Sequence, residues 1–308
     1  MNLNPHELTT LTGHGSAVLS LGVSPDGSLL ASASRDRTVR LWSLPELQSS
    51  PAGGGEVRTL AGHRGPVNGV AFSPDGTRLA SASGDMQVKV WAVPGGDELL
   101  ALAEHFGAVE TVAFSPDGTQ VACGWNMWSY GHLTLWDVSG REQLATLRAG
   151  HGQLVFDAAY APDGSAVGVA LAAGFIRMWA LSGDGVGEAA TIRGHGETVR
   201  TLSFSPDGAS FASGSSDQTL KLWALSDGAP LATLKGHSGA VQAVVWSPDG
   251  TMVASAGDDG AVRLWDAARH REVAVLAGSG GLRSLCWSPD GGLLAAGASD
   301  GSIRLWVV

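Results

Sequence analysis

The fold predicted for this 308-residue chain is all-β, a closed seven-bladed β-propeller of four-stranded antiparallel blades. Three observations predict it. A Pro-Asp-Gly turn occurs seven times, at Asp26, Asp75, Asp117, Asp163, Asp207, Asp249 and Asp290. A tryptophan follows each turn at a nearly constant interval, at Trp42, Trp91, Trp136, Trp179, Trp223, Trp265 and Trp306. The resulting period, in the low to mid forties, is that of an architecture in which one four-stranded sheet recurs around an axis. Such a unit cannot bury its apolar face without its neighbours. Residues 1–308 are therefore read as one domain, not as the two that length alone suggests at ~150 residues each.

Taken in order, Glu7 to Leu11 reads as an orphan outer strand, because no inner strands precede it. The second unit, EVRTLAGHRGPVNGVAFSPDGTRLASASGDMQVKVWAV, shows the full repeat. It divides into four β-prone runs, EVRTL, PVNGVAF, RLASAS and QVKVWAV, to be named strands d, a, b and c. Between a and b, Ser73-Pro74-Asp75-Gly76 supplies Pro where φ must be near −65° and Gly where φ must be positive, which is hairpin chemistry. The last unit, from about 280 to 308, stops at Trp306-Val307-Val308, the end of a strand c. The N-terminal strand, about 7–11, is expected to complete that blade, giving a whole ring and removing two sheet edges that invite aggregation. The long run from Ser43 to Gly55 is rich in Pro, Gly and Ser and reads as a flexible c–d connection, with a docking loop as the alternative.

Composition narrows the function classes. Apolar residues make up 44% of the chain and charged residues 16%, enough for a large core, and 44 glycines suit short strands and tight turns. A net charge of −10 argues against a nucleic-acid backbone as partner, since phosphate binding needs a clustered basic face. The two cysteines, Cys123 and Cys286, fall in the third and seventh repeats, too far apart around a ring to bond, so a reducing compartment is compatible. The N-terminus has no signal-peptide pattern and no stretch approaches the ~20 apolar residues that span a bilayer. The expectation is a cytoplasmic protein, monomeric on its own, with no membrane or nucleic-acid partner and no cofactor.

With a Gly-His pair before strand a, an Asp in the b–c turn and a Trp in strand c, the repeats resemble the WD40 family of β-propellers over essentially the whole chain. Closely similar repeats, Arg in preference to Lys, and abundant Gly and Ala are similar to bacterial members. The resemblance implies a hydrogen-bond network joining the His, a strand-b Ser, the Asp and the Trp of a blade. The matching residues are His14, Ser32, Asp36 and Trp42 in blade 1, and His63, Ser81, Asp85 and Trp91 in blade 2. Blade 5 offers His195, Ser213, Asp217 and Trp223, and blade 6 offers His237, Ser255, Asp259 and Trp265. The chemistry is sensible in its own right, because a buried indole N–H needs an acceptor and a buried carboxylate needs donors.

Repeated His, Asp and Ser could be mistaken for catalytic or metal sites. Six of the nine histidines (His14, His63, His105, His151, His195 and His237) occupy the slot before strand a, which favours the structural reading. No HExxH, Walker loop, Gly-x-Ser-x-Gly elbow or paired-Cys zinc spacing occurs. Gly257-Asp258-Asp259-Gly260 is read as a b–c turn rather than a cation loop.

Blade 3 departs from the pattern. From turn Asp to Trp the interval is 16 residues in six repeats and 19 in the third. The additional residues lie within Gly124-Trp125-Asn126-Met127-Trp128-Ser129-Tyr130-Gly131-His132 and, by alignment, in the b–c turn. Aromatic and Met enrichment marks interface hot spots, so Trp125, Trp128 and Tyr130 are candidate anchors for a partner. The alternative is that the segment folds over its own blade, replacing a network lost when the Asp slot became Tyr130. Blade 4 is irregular too, with Val169 and Ala173 in the Ser and Asp slots, and blade 7 lacks both His and Ser.

The resemblance further implies that d–a and b–c loops share a top face, where peptides dock at the channel mouth. The residue after the first Val of strand a is expected to face that mouth, namely Leu19, Asn68, Glu110, Phe156, Arg200, Gln242 and Arg283 in turn. The function expected is a non-catalytic scaffold binding a protein or peptide near blades 3 and 4. Trp125, Trp128, Tyr130 and Phe156 would serve as apolar anchors, Glu110 would attract a basic group, and Arg35, Arg200 and Arg283 would meet acidic groups. The alternatives are a small-ligand or enzymatic propeller using the central channel, or the propeller module of a larger signalling protein.

Overall fold

In the computed structural model, residues 5–49, 55–103, 105–182, 185–278 and 280–308 are described. Seven four-stranded antiparallel sheets follow one another along the chain, each with its strands in spatial order a, b, c, d. In blade 1 these are Val18–Val23, Leu29–Ser34, Thr38–Ser43 and Glu56–Ala61. Blade 7 takes its strands a to c from Leu282–Trp287, Leu293–Ala298 and Ile303–Val307, and its strand d from His6–Leu11. Leu11 pairs with Ile303 and His6 with Val307, so the two chain ends close the ring.

The strand positions explain their sequences. Each strand b lies between two neighbouring blades, so both its faces are covered and small residues fill it. In LLASAS of blade 1, every residue after the first is buried. Strand d is the outer edge, and in EVRTLA only Leu60 is buried. The Pro-Asp-Gly turns join a to b. Gly76 sits at φ +70°, its N–H donates to the Ser73 carbonyl at 2.9 Å, and Ser73 Oγ donates to Asp75 at 2.5 Å. This donor, with the Thr77 N–H and hydroxyl, holds the Asp75 carboxyl at about 2.

All seven strands a carry a β-bulge at the same place. The register slips between Val18 and Ser20, Val67 and Gly69, Val109 and Thr111, Val155 and Asp157, Val199 and Thr201, Val241 and Ala243, and Leu282 and Ser284. A bulge leaves one residue out of the ladder and re-aims its side chain. The residues skipped are Leu19, Asn68, Glu110, Phe156, Arg200, Gln242 and Arg283, and all of them line the axial cavity. In blades 1, 3, 4 and 5 the side chain of the following residue staples blades together. Ser20 Oγ accepts from the Val70 N–H at 3.2 Å and Thr201 Oγ1 from the Val244 N–H at 3.3 Å. Asp157 joins blades 3, 4 and 5, accepting from the Thr111 hydroxyl at 3.1 Å and the Leu202 N–H at 2.9 Å. Burial raises its pKa in spite of these donors.

Two expectations are corrected. The extra residues of blade 3 do not make a loop. They lengthen strands b and c to Gln120–Met127 and Tyr130–Asp137, eight residues each, joined by Trp128 and Ser129 alone. Backbone pairing offers every added N–H and C=O a partner, which an irregular loop would not. The c–d connection of blade 1 is not wholly irregular either, since Leu44–Ser49 is a helix that buries Leu44 and Leu47. Ser43 Oγ accepts from the Glu46 N–H at 3.4 Å, so the start is marked by Ser with Glu three residues on. Residues 50–54 of that connection lie outside the described residues. Blade 4, for all its irregularity, is a complete four-stranded sheet. Its b–c connection is a tight 3-10 turn, Ala172–Gly174, with Ala173 at φ +58°.

Candidate functional site

Four blades build the same buried chain of hydrogen bonds. In blade 1, His14 Nδ1 lies 2.8 Å from Asp36, its Nε2 lies 2.7 Å from Ser32 Oγ, and Trp42 Nε1 donates to that oxygen at 2.9 Å. Blade 2 repeats this with His63 to Asp85 at 2.9 Å, His63 to Ser81 at 2.7 Å and Trp91 to Ser81 at 2.8 Å. In blade 5, His195 meets Asp217 at 2.9 Å, and both His195 and Trp223 meet Ser213 at 2.8 Å. In blade 6, His237 meets Asp259 at 3.0 Å, and His237 and Trp265 meet Ser255 at 2.8 Å. The bonds are mutually consistent when each neutral imidazole donates from Nδ1 to the carboxylate and accepts at Nε2 from a serine that itself accepts from the indole. Burial lowers the pKa of all four histidines although the carboxylates pull upward. Burial opposes ionisation of Asp36 and Asp217, but donors including Thr38 and Thr219 outweigh it and hold both at about 2. A serine that both gives and takes a bond inside a closed core has no access to a substrate, so the resemblance to a catalytic triad stops at composition.

His105 and His151 do not join such chains. His105 is buried, and burial takes its pKa to about 4 although the Met86 and Leu102 backbone lies near enough to its ring to favour the charged form. His151 ends strand d of blade 3, exposed, edge-on to the Tyr130 ring at 5.1 Å. The strand-b position that is Ser in blades 1, 2, 5 and 6 is Cys123 in blade 3, fully buried, and Trp136 Nε1 lacks an acceptor.

Trp125, expected as an anchor for a partner, is instead buried at 5% exposure. It stacks on His132 at 4.2 Å and donates from Nε1 to Thr134 Oγ1 at 2.9 Å. It fills the space between His105 and His132, so the reading in which the segment folds over its own blade holds for this residue. Trp128, three residues on, is turned outward with 90% of its surface exposed and its backbone at φ +57°. Tyr130 is half-buried beneath the Arg148 guanidinium, 3.9 Å from its ring.

One residue of this face was not found from the sequence. Phe106, next to His105, is 74% exposed and leans on Trp125 at 6.4 Å. The signal was present, since the residue after the histidine is Gly, Arg or Ser in blades 1, 2, 5 and 6. Gly107 lets this d–a loop lie against the long hairpin. A Cβ there would fall 1.8 Å from the Asn126 carbonyl oxygen.

The bulge residues Leu19, Asn68, Glu110, Phe156, Arg200, Gln242 and Arg283, with Arg35 from a b–c turn, surround a cavity of about 340 Å³ at the channel mouth. Asn126 ties this mouth to the hairpin of blade 3. Its side chain donates to the Val155 carbonyl and accepts the Val155 N–H, both at 2.7 Å, and it hydrogen-bonds Glu110. Burial raises the Glu110 pKa, and the Asn126 bond opposes that. Arg200 lies over the Phe156 ring at 4.8 Å and donates from Nε to Ser216 at 2.9 Å. Arg283 pairs with Asp258 at 3.1 Å, and Gln242 donates to the same carboxylate at 3.0 Å. The charged side chains are thus divided, with Glu110 in blade 3 and the arginines in blades 5, 7 and 1. Among the described residues no three His, Cys, Asp or Glu side chains are grouped to hold a metal ion. No helix among the described residues is long and apolar enough to cross a membrane.

Comparison with known proteins agrees with this architecture. The model of the WD domain, G-beta repeat, matches residues 5–43, 54–92, 96–137, 188–224, 228–266 and 270–307, well over half of the chain. The chain belongs to the WD40 family. The matches omit 138–187, which contains the first three strands of blade 4, where Val169 and Ala173 replace the expected Ser and Asp. One 36-residue segment of this WD40 propeller is 58% identical to part of Protein Notchless of Drosophila melanogaster. That match covers 12% of this chain and 7% of that protein. WD40 propellers are generally non-catalytic and typically bind proteins or peptides.

Proposed function

We propose that this WD40 propeller is a non-catalytic scaffold that binds a peptide or loop of a partner protein on its top face, over blades 3 and 4. The observation that carries the reading is Trp128, a tryptophan 90% exposed at the tip of a hairpin whose neighbouring tryptophan, Trp125, is buried and fixes it in place. Large apolar side chains turned to solvent on a rigid support are the usual centres of protein recognition. Phe106 and Met86, the latter 48% exposed in the b–c turn of blade 2, extend the apolar surface. Phe156, Tyr130, Glu110, Arg35, Arg200 and Arg283 frame it toward the channel. The protein acts by presentation, its closed ring holding the loops at fixed distances so that little ordering entropy is lost on binding. In this reading it works as a cytoplasmic monomer, with neither nucleic acid nor membrane as a partner.

Affinity capture from the source organism's lysate, with wild type and a Phe106→Ala, Trp128→Ala variant in parallel, tests this. A partner held by wild type and lost by the equally stable variant is the expected result. Equal capture by both would move the interface elsewhere. A channel-based enzyme or small-ligand protein is the competing reading, and the bulge row offers it Glu110 as its single acid and no histidine.

A further inference from the structure

We infer that the channel mouth contains a carboxylate-binding subsite centred on Arg200, and that the segment received on the top face is acidic, placing an Asp or Glu side chain there. The inference rests on the top-face reading above and adds the chemistry of the partner.

Arg200 is the bulged residue of its strand, so its side chain leaves the ladder for the cavity. Two neighbours hold the guanidinium still. The Phe156 ring lies beneath it, its centroid 4.8 Å away, and Ser216 takes the Nε proton at 2.9 Å. The two terminal amino groups are the part of the guanidinium that makes bidentate bonds to a planar oxyanion. No carboxylate of the described residues is in ion-pair contact with Arg200, in contrast to Arg283, which has Asp258 at 3.1 Å. Burial disfavours the Arg200 charge; Asp258 attracts it more than Arg283 repels it and Glu197 adds a weaker attraction, yet the desolvation outweighs them and the pKa is still lowered. A half-buried, pre-positioned and under-neutralised cation beside an aromatic face gains most from an incoming anion. Arg35, exposed on the rim of the same cavity, extends the positive arc.

The surroundings favour a singly charged carboxylate over a phosphate. Asp258 lies between Arg283 and Gln242, and Glu110 stands in the same cavity wall. A second negative charge on the ligand would face those carboxylates rather than solvent. The molecule as a whole carries −10, so the mouth is a local site for an acidic segment and not part of a general anion-attracting surface.

The test uses fluorescently labelled peptide pools, with apolar residues varied at the flanks and the centre fixed as Glu, Gln, Lys or phosphoserine. Binding to the full-length protein is read by anisotropy. The expected result is that the Glu pool binds about tenfold more tightly than the Gln pool, the gain of a charged over a neutral hydrogen-bond partner. The Lys pool is expected to be weakest, and the Glu preference to fall as salt is raised. Arg200→Gln should bring the Glu-to-Gln ratio to about one. Equal binding of the Glu and Gln pools to wild type overturns the proposal without recourse to any variant, as does absence of binding by every pool. A ratio that survives in Arg200→Gln, or a phosphoserine pool that outbinds the Glu pool, also overturns it. The Phe106→Ala, Trp128→Ala variant separates the two readings. A uniform loss across the pools at constant ratio supports the apolar contact, and an unaltered affinity at constant ratio removes that contact while leaving the Arg200 subsite standing.

Discussion

At the scale of single residues, the strand-b serine decides whether a blade's polar core is satisfied. Ser213 accepts from Trp223 and bonds His195, so Ser213→Ala leaves a buried indole N–H and a buried imidazole nitrogen without partners. The expected cost is about 1–3 kcal/mol in urea unfolding. Blade 3 supplies the reverse experiment. Cys123 stands in the same slot of a blade whose Trp136 Nε1 is unbonded, and Cys123→Ser offers that proton an acceptor. A gain of about 1 kcal/mol is expected, and a loss would show that the hydroxyl cannot reach it. The histidines also set the response to pH. Each is buried with its pKa below the free value of 6.5, so the unfolded chain binds more protons below that pH. Their contribution is complete above pH 6.5 and is lost as the pH falls toward their folded values, while Asp36 and Asp217 add a further loss between 3.8 and about 2. Glu110 and Asp157, raised by burial, act in the opposite sense. Histidine ring resonances in NMR check this directly. All four should be less protonated at pH 6.5 than free histidine, which is half protonated there.

At the scale of elements, the long hairpin of blade 3 divides its tryptophans between support and display. Trp125→Ala should cost about 3–5 kcal/mol, because it empties a site packed between His105 and His132. Trp128→Ala should change stability by no more than about 0.5 kcal/mol, since the side chain touches little. Thermal unfolding of the two variants side by side distinguishes them, and equal effects would contradict the geometry. This division was not legible in the sequence. Alternation along a strand places Trp125 and Met127 on one face and Asn126 on the other only if the segment is known to be strand, and Trp128 lies in the turn just beyond it. Alignment with six shorter repeats made it a turn. The helix Leu44–Ser49 was obscured by the Pro and Gly that follow, although Ser43 with Glu46 and the pair Leu44 and Leu47 carried its start signal and its buried face.

At the scale of the whole molecule, the ring is held by what passes between blades. The N-terminal strand contributes five register pairs to the last blade, from His6↔Val307 to Leu11↔Ile303. Removing residues 1–11 should expose Ile303–Val307 as an unpaired edge. The expected outcome is a lower unfolding temperature together with self-association in size-exclusion chromatography. A monomer of unchanged stability would show that the neighbouring blades alone keep the ring shut.

The sequence by itself determined the number of blades and the path of the chain around the ring, because these depend on local turn chemistry and on a period that is repeated seven times. The residues of the four hydrogen-bonded networks were legible in it through the resemblance to the WD40 family. The tertiary structure alone decided which aromatic residues of blade 3 face solvent, that Phe106 joins them, and that Arg200 rests on Phe156 without an ion-pair partner among the described residues. Those outcomes come from side-chain contacts, within blade 3 from Gly107 against Asn126, and across blades from Asn126 to Val155 and from Arg200 to Phe156. Contacts of these kinds have no counterpart in the period of the sequence.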